Sequence, residues 1–244
     1  PWASLPCGQV HVLSTGPSSP YVMAPDAQFF DDGARRCEVP DLAPLNGELR
    51  GALMIRHAER YGRDVALHSD GLTPAGREHA RRLGRRIGGR REVRLFASPV
   101  QRCVDTASLI AEGAGLDAEV TVTTMLGLPG TYVIDEEEVD RHLAVMGLHR
   151  FAVEWVNGRI PAEAMAPVEL GTQALMDWVL GNARERDGLL DIYVGHDLFL
   201  TPVLVNHLGY DIASTGLLGF LDGFTVTVED GKAVLSYGGK RAPL

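Results

Sequence analysis

The chain has 244 residues, of which 45% are hydrophobic and 23% are charged. This length suits one large domain, and the composition excludes collagen-like, disordered and coiled-coil proteins. The net charge of -9 excludes a long-range field that attracts nucleic acid or an anionic membrane, and no apolar run approaches the roughly 20 residues of a membrane span. We therefore expect no nucleic-acid partner, no membrane partner, and an anion site that is local.

The three cysteines, Cys7, Cys37 and Cys103, have no metal-ligand spacing and do not suggest a disulfide framework. A bridge between Cys7 and Cys37 stays open. The first residues lack the charged and apolar regions of a signal peptide. We therefore expect a cytoplasmic protein, while a signal upstream of Pro1 stays open because the chain does not begin with Met.

Residues 1–50 are predicted to form an extended arm packed on the domain. Seven of the 14 prolines lie in the first 44 residues, together with Gly and Ser. Proline breaks helices, so this segment cannot be helical for long. One strand-like run, at residues 9–13, interrupts it.

From Gly51 onward, short apolar strands alternate with helices. The apolar patterns predict strands at residues 52–55, 92–97, 119–123 and 191–194, and a hairpin at 224–236. Thr73 with Pro74 is a helix start, and Ser98 with Gln101 fits a capping box for a second helix. A third helix is predicted to follow residue 194 and to run through residue 208. This order predicts a three-layer α/β/α sandwich with a mostly parallel central sheet, formed by residues 51–244.

The alternation fails between about residues 124 and 170. The stretch contains glycines, prolines and an acidic run at residues 135–138, along with Tyr132, Phe151 and Trp155. A long irregular insertion in an α/β domain is commonly a lid or a substrate-binding cap. The acidic run also fits the solvated start of a helix.

Charged and imidazole side chains follow three of the predicted strands. Arg56 and His57 come directly after the first strand, Arg102 lies in the first turn after the second, and His196 and Asp197 follow the strand at 191–194. In open α/β sheets, ligands bind beyond the carboxyl ends of the strands, and helix N-termini favour an anion there. The sequence therefore predicts an anion site built from these side chains.

The sequence of these segments resembles the motifs of the histidine phosphatase superfamily, which includes phosphoglycerate mutases and histidine acid phosphatases. The resemblance runs from about Met54 to His207 and lies in four ordered motifs: Arg56-His57-Ala58-Glu59-Arg60, Leu72-Thr73-Pro74-Ala75-Gly76, Ser98-Pro99-Val100-Gln101-Arg102 with Thr106-Ala107, and Gly195-His196-Asp197. It implies that His57 is the nucleophile that becomes phosphohistidine. It also implies that Arg56, Arg102 and His196 bind the phosphate.

Features of two branches of the family are combined in this chain. Arg60, three residues after His57, resembles the acid phosphatase branch, which has a second phosphate-binding arginine there. Asp197 resembles the proton donor of that branch. The mutase branch takes its acid from a glutamate, but the corresponding residues 125–128 contain no carboxylate. We therefore expect Asp197 to be the acid, with Glu59 and Asp135 as alternatives.

The chemistry of these residue types agrees with a phosphomonoester hydrolase acting on a small phosphorylated metabolite. Guanidinium groups can neutralise the phosphoryl oxygens bidentately, an imidazole can attack, and a carboxylic acid can protonate the leaving oxygen. No metal and no other cofactor is expected, although a zinc site at His57 and His196 is a rival interpretation. A phosphoglycerate-mutase-like phosphotransferase and a non-catalytic phosphate-binding module are the alternative functions.

Overall fold

The structure is a computed structural model that describes residues 40–45, 51–61, 71–88, 92–183 and 188–244. Within these ranges, seven strands form one sheet in the order β3-β2-β4-β1-β5-β6-β7. Their bounds are β1 Gly51–Arg56, β2 Glu92–Ala97, β3 Val120–Val122, β4 Leu189–Gly195, β5 Gly223–Glu229, β6 Lys232–Tyr237 and β7 Lys240–Pro243. The four strands β3-β2-β4-β1 are parallel, and β5, β6 and β7 extend the sheet in antiparallel pairing.

Helices cover both faces of this sheet. Their bounds are α1 Pro74–Ile87, α2 Gln101–Ala114, α3 Glu136–Met146, α4 Leu148–Val156, α5 Val168–Ala183, α6 Asp197–Leu208 and the short α7 Ile212–Thr215. Side chains alternate across β1, so that Leu53 and Ile55 pack in a core with α1 and α2. Ala52 and Met54 pack on the opposite face, in a larger core with α4, α5 and α6. The α/β/α sandwich predicted from the sequence is therefore confirmed.

The start of α1 forms as predicted, but the start of α2 does not. Thr73 caps α1, where its Oγ1 accepts a hydrogen bond from the backbone N–H of Gly76. The capping box of Ser98 with Gln101 is wrong, because α2 begins at Gln101 after Val100 and has no side-chain cap. Ser98 is fully buried and its Oγ lies 3.0 Å from Nε2 of His196. The Ser98 hydroxyl therefore bonds the buried imidazole of His196 and does not cap α2 in the way that the sequence pattern predicts.

The insertion between β3 and β4 is mostly helical rather than irregular. It contains α3, α4 and the start of α5, and Asp135 caps α3 by accepting hydrogen bonds from two backbone N–H groups. Tyr132, Phe151 and Trp155 are at most 2% exposed, and the ring centroids of Tyr132 and Trp155 lie 5.1 Å apart. These aromatic side chains form the core of the insertion and do not offer a surface to a substrate.

Most of the predicted N-terminal arm lies outside the described residues, and so do Cys7, Cys37 and the strand-like run at residues 9–13. Of residues 1–50, the structure describes residues 40–45, where a short 3-10 helix, Ala43–Leu45, buries Leu45 against the domain. No helix in the described part of the chain is long and apolar enough to cross a membrane.

Candidate active site

The three strand ends that carry the predicted site residues are neighbours in the sheet. Strand β4 lies between β2 and β1 with parallel pairing on both sides, so the carboxyl ends of all three strands meet at one edge. Two backbone hydrogen bonds continue this pairing beyond the strands: His57 N–H donates to Gly195 O, and Ser98 N–H donates to Val194 O, both at 3.0 Å. The sheet therefore brings the Arg-His, Arg and His-Asp motifs to one pocket.

His57 is held with one ring nitrogen against the backbone. It is 2% exposed, and its Nδ1 lies 2.8 Å from the carbonyl oxygen of Ala58. A carbonyl only accepts, so the ring proton sits on Nδ1 and the lone pair on Nε2. Burial, followed by the charge of Arg56, lowers the pKa of His57 well below its ordinary value. The ring is therefore neutral, with its lone pair on Nε2.

Arg102 spans the two histidines. Its Nε donates to Nε2 of His57 at 3.0 Å, and its terminal nitrogen Nη2 lies 3.3 Å from Nδ1 of His196. Thr106, one turn further along α2, donates from Oγ1 to the backbone carbonyl of Arg102 and accepts from the backbone N–H of Ala58. This threonine ties the start of α2 to the loop that carries His57.

Arg56 is held in position by contacts with Leu218, Asp197 and Phe220. One terminal nitrogen donates to the carbonyl of Leu218 at 2.7 Å, and the other pairs with Oδ2 of Asp197 at 3.1 Å. The guanidinium carbon lies 4.3 Å from the centroid of the Phe220 ring. Nε of Arg56 is buried and has no hydrogen-bond partner among the described residues. A buried donor without a partner is costly and needs an explanation, such as a catalytic role or a bound water or ion.

His196 is enclosed by polar partners on both ring nitrogens. It is 8% exposed, with Ser98 Oγ at 3.0 Å from Nε2 and the thiol of Cys103 at 3.6 Å from the same atom. Burial and then the positive charge of Arg102 lower the pKa of His196 to about 3. This ring is therefore neutral as well.

The structure places the predicted carboxylates differently from one another. Asp197 is at the pocket, paired with Arg56, and its Oδ1 accepts from the backbone N–H of Leu198. Glu59 accepts a hydrogen bond from Thr73 Oγ1 at 2.9 Å, at the start of α1. The contacts described for Asp135 are with the helix that it caps. Asp197 is the one of the three with a described contact to a pocket arginine.

Arg60 lies at the edge of the pocket. Its side chain is half-buried, and one terminal nitrogen lies 3.4 Å from the carbonyl of Tyr61. Its positive charge lowers the pKa values of Arg56 and His196, after larger effects of burial and of closer charges.

The described residues hold no group of three or more His, Cys, Asp or Glu side chains that could bind a metal ion.

Three side chains of the pocket were not predicted to act there. Phe220 lies with its ring centroid 5.7 Å from that of His57, on a loop after α7 that carries no sequence motif. Ser98 and Thr106 belong to the motif segments, but their hydrogen bonds depend on which side of α2 faces the sheet. For Thr106 the signal was its spacing of four residues from Arg102, which places both on one face of the helix.

The comparison with protein families confirms the resemblance read from the motifs. Residues 52–126 match the model of the histidine phosphatase superfamily (branch 1). This segment contains Arg56, His57, Arg60, Ser98 and Arg102 and ends before His196 and Asp197. A search of curated proteins finds no match to the chain.

Solved structures with the same fold include several phosphatases. The mycobacterial glucosyl-3-phosphoglycerate phosphatase is 18% identical, with a TM-score of 0.53 over 78% of this chain and 99% of that chain. YhfR of Bacillus stearothermophilus is 16% identical, with a TM-score of 0.57 over 78% and 96%. A mutant phosphoserine phosphatase of Entamoeba histolytica in complex with phosphoserine is 20% identical, with a TM-score of 0.52 over 77% and 95%. The chain therefore has the fold of the histidine phosphatases.

Proposed function

We propose that this protein is a phosphomonoester hydrolase that transfers the phosphoryl group of its substrate to Nε2 of His57. The observation that carries the proposal is the fixed tautomer of this ring. Its proton is committed to the carbonyl of Ala58, and Nε2 lies beside the guanidinium of Arg102. A neutral imidazole nucleophile beside guanidinium groups is suited to transfer of a phosphoryl dianion.

Binding of the substrate phosphate begins with the arginines. Nε of Arg56 offers a buried donor, and Arg102 can turn its N–H groups from the two imidazoles to the phosphoryl oxygens. Arg60 adds positive charge at the edge of the pocket, and His196 is the fourth ligand. These groups neutralise the charge on the phosphoryl oxygens while Nε2 of His57 attacks in line with the leaving oxygen.

Asp197 is our proposed proton donor to the leaving oxygen. In the structure its carboxylate pairs with Arg56. When phosphate oxygens take over that guanidinium, the carboxylate of Asp197 lies close to other negative oxygens, which favours its protonated form. After the alcohol has left, the same carboxylate can accept a proton from the water that attacks the phosphohistidine. Glu59 and Asp135 remain the alternative acids.

The substrate is proposed to be a small phosphorylated metabolite. Two proteins with this fold are named as phosphatases of phosphoserine and of glucosyl-3-phosphoglycerate, which are both small phosphate monoesters. Water is proposed as the acceptor, since residues 125–128, which stand where a mutase-type glutamate is expected, place the buried Leu126 beside Gly195. The positive charge comes from guanidinium groups, so we propose that turnover needs no metal.

Phosphate release from a panel of phosphorylated metabolites and from p-nitrophenyl phosphate tests this function. We expect turnover that survives exhaustive chelation and is inhibited by vanadate, which resembles the pentacoordinate phosphoryl group. Loss of activity in chelator that zinc or magnesium restores would contradict the metal-independent mechanism. Transfer of phosphate to an acceptor hydroxyl, without release of inorganic phosphate, would identify a mutase instead.

A further inference from the structure

The hydrogen bonds of His196 define which of its nitrogens carries the proton. Nη2 of Arg102 lies 3.3 Å from Nδ1, and a guanidinium group can only donate. Nδ1 therefore holds the lone pair. Because the ring is neutral, its proton is on Nε2, which donates to Ser98 Oγ at 3.0 Å.

This arrangement is the reverse of what a phosphate ligand needs. Under the proposed function, Arg102 and His196 both contact the phosphoryl oxygens, and a phosphate dianion offers only acceptors. The nitrogen of His196 that faces Arg102 is Nδ1, which accepts from the guanidinium in the structure and therefore has no proton to donate. Phosphate binding must therefore change the protonation of the ring.

Two changes would supply the missing donor: a second proton on the ring, or a move of the existing proton. Burial and the charges of Arg102 and Arg56 oppose an imidazolium at this position. The partner of Nε2 favours the second change, because a hydroxyl can accept in one state and donate in the other. The hydroxyl of Ser98 is fully buried and lies 3.0 Å from Nε2. Gly127 packs closely against it, since a Cβ at Gly127 would come within 2.5 Å of Ser98 Oγ.

We propose that phosphate binding switches His196 from the tautomer with its proton on Nε2 to the tautomer with its proton on Nδ1, and that Ser98 reverses its hydrogen bond to allow this. The inference rests on the proposed function of the pocket. Nε2 loses one proton and Nδ1 gains one by exchange with water, so the ring stays neutral and no net proton is taken up. Ser98 changes from acceptor to donor by rotation of its hydroxyl.

Nitrogen NMR of protein labelled with ¹⁵N-histidine tests the switch directly, with inorganic phosphate as the probe. The resonances of His196 are identified by their loss in His196→Asn. We expect Nδ1 to show a lone-pair shift in the free protein and a protonated shift at saturating phosphate, with Nε2 changing in the opposite sense. Protonated shifts at both nitrogens in the complex, or the same tautomer in both states, would overturn the proposal.

Proton uptake gives a second measurement, made on Asp197→Asn because the wild-type protein is expected to take up a proton at Asp197 when phosphate binds. Calorimetric titration with phosphate at pH 8, in buffers of different ionisation enthalpy, should show no net uptake at His196. Uptake of a proton on binding would favour an imidazolium and contradict the switch.

A Ser98→Ala variant tests the positioning role of the hydroxyl. The thiol of Cys103 lies 3.6 Å from Nε2 and donates to the carbonyl of Gly195, so its sulfur can still accept from Nε2 but its proton is committed. The variant thus keeps an acceptor for the free tautomer and loses the donor for the bound one. We expect phosphate to bind about tenfold more weakly, the equivalent of one buried hydrogen bond, with the proton retained on Nε2.

The matched control is Thr227→Ala, which also removes a buried hydroxyl but on β5, where it bonds Glu229. Phosphate affinity and the tautomer of His196 should be unchanged in the control. A Ser98→Ala protein that still switches tautomer would show that the serine is not required. Phosphatase turnover with a fixed tautomer would reject this inference alone, whereas phosphate that perturbs neither His57 nor His196 would reject the proposed function with it.

Discussion

Two polar clusters lie near the two ends of strand β4. They differ in the acceptors to which their arginines donate hydrogen bonds. Near the start of the strand, Arg94 donates from two nitrogens to the carboxylate of Asp191, at 2.8 and 2.9 Å. The hydroxyl of Tyr193 also donates to this carboxylate, and it accepts from Asn182. At the end of β4, Arg102 donates instead to two neutral imidazole rings.

The difference indicates which cluster is structural and which is built for a ligand. In the first cluster a buried carboxylate and a guanidinium compensate one another, so that the carboxylate is not buried without a partner. In the second, two N–H groups of Arg102 meet uncharged acceptors, and Nε of Arg56 is buried without a partner among the described residues. An anion that receives these donors completes the second cluster, and the proposed substrate is such an anion.

Among variants of the two clusters, Asp197→Asn is expected to have the largest effect on turnover. If Asp197 is the general acid, alkyl phosphates lose on the order of 10²–10⁴-fold in turnover, and p-nitrophenyl phosphate loses far less because its leaving group needs little protonation. The fall of the wild-type rate at high pH should also weaken in the variant. Steady-state kinetics on both substrate types measure this.

Equal losses on alkyl and aryl phosphates would show that Asp197 acts in binding, through its ion pair with Arg56. Glu59→Gln and Asp135→Asn are the matched variants. The one that loses alkyl phosphatase activity selectively would then identify the acid.

Arg94→Ala is expected to reduce stability and to leave chemistry unchanged. It strands the carboxylate of Asp191, which is 1% exposed, and leaving a buried charge uncompensated costs about 3–5 kcal/mol. Chemical denaturation should show this loss in the free energy of unfolding, while kcat of the folded protein stays near normal. A fall in kcat without a loss of stability would break the distinction between the two clusters.

Arg102→Ala is expected to behave in the opposite way. It removes a preorganised donor from the transition state, and the Nε and Nη2 hydrogen bonds that it breaks are to neutral ring nitrogens rather than to a buried carboxylate. We expect a loss of about 3–4 kcal/mol in transition-state stabilisation, measured as kcat/KM, with a smaller change in the free energy of unfolding than in Arg94→Ala. Near-normal turnover of a folded Arg102→Ala protein would refute the pocket assignment.

The smallest effect is expected for Phe220→Leu. The ring lies over the guanidinium of Arg56, and a cation–π contact contributes roughly 0.5–2 kcal/mol. We expect kcat/KM to fall by about that amount, and Phe220→Tyr to preserve it because the aromatic face remains. If Phe220→Leu and Phe220→Tyr were equally impaired, the contact with Arg56 would not be the cause.

The strand ends and the helix starts could be predicted from sequence because their signals are local. Apolar runs predict β1, β2 and β4. Residues that follow these strands must lie at the same edge, because the strands are parallel. The tautomers of His57 and His196 could not be predicted, because they depend on the carbonyl of Ala58 and on the positions of Arg102 and Ser98 around His196. The capping pattern assigned Ser98 to the wrong partner, since such a pattern carries no information on what lies across the sheet.

The insertion shows the same limit. Its glycines and prolines suggested irregular backbone, but tertiary packing around Tyr132 and Trp155 makes most of it helical. No sequence motif predicted the contact of Phe220 with Arg56, because it depends on the path of the loop after α7. Packing between segments distant in sequence thus decided the features that local patterns missed.

The most direct test of the account is to trap the phosphorylated protein in mid-reaction and to map the modified residue. Wild-type protein is mixed with p-nitrophenyl phosphate, quenched under basic conditions that preserve phosphohistidine, and analysed by peptide mass spectrometry. His57→Ala, which lacks the nucleophile, is the control and should show neither adduct nor turnover. The account predicts an acid-labile phosphoryl group on His57; a phosphoryl group mapped to another residue, or turnover that persists in His57→Ala, would contradict it.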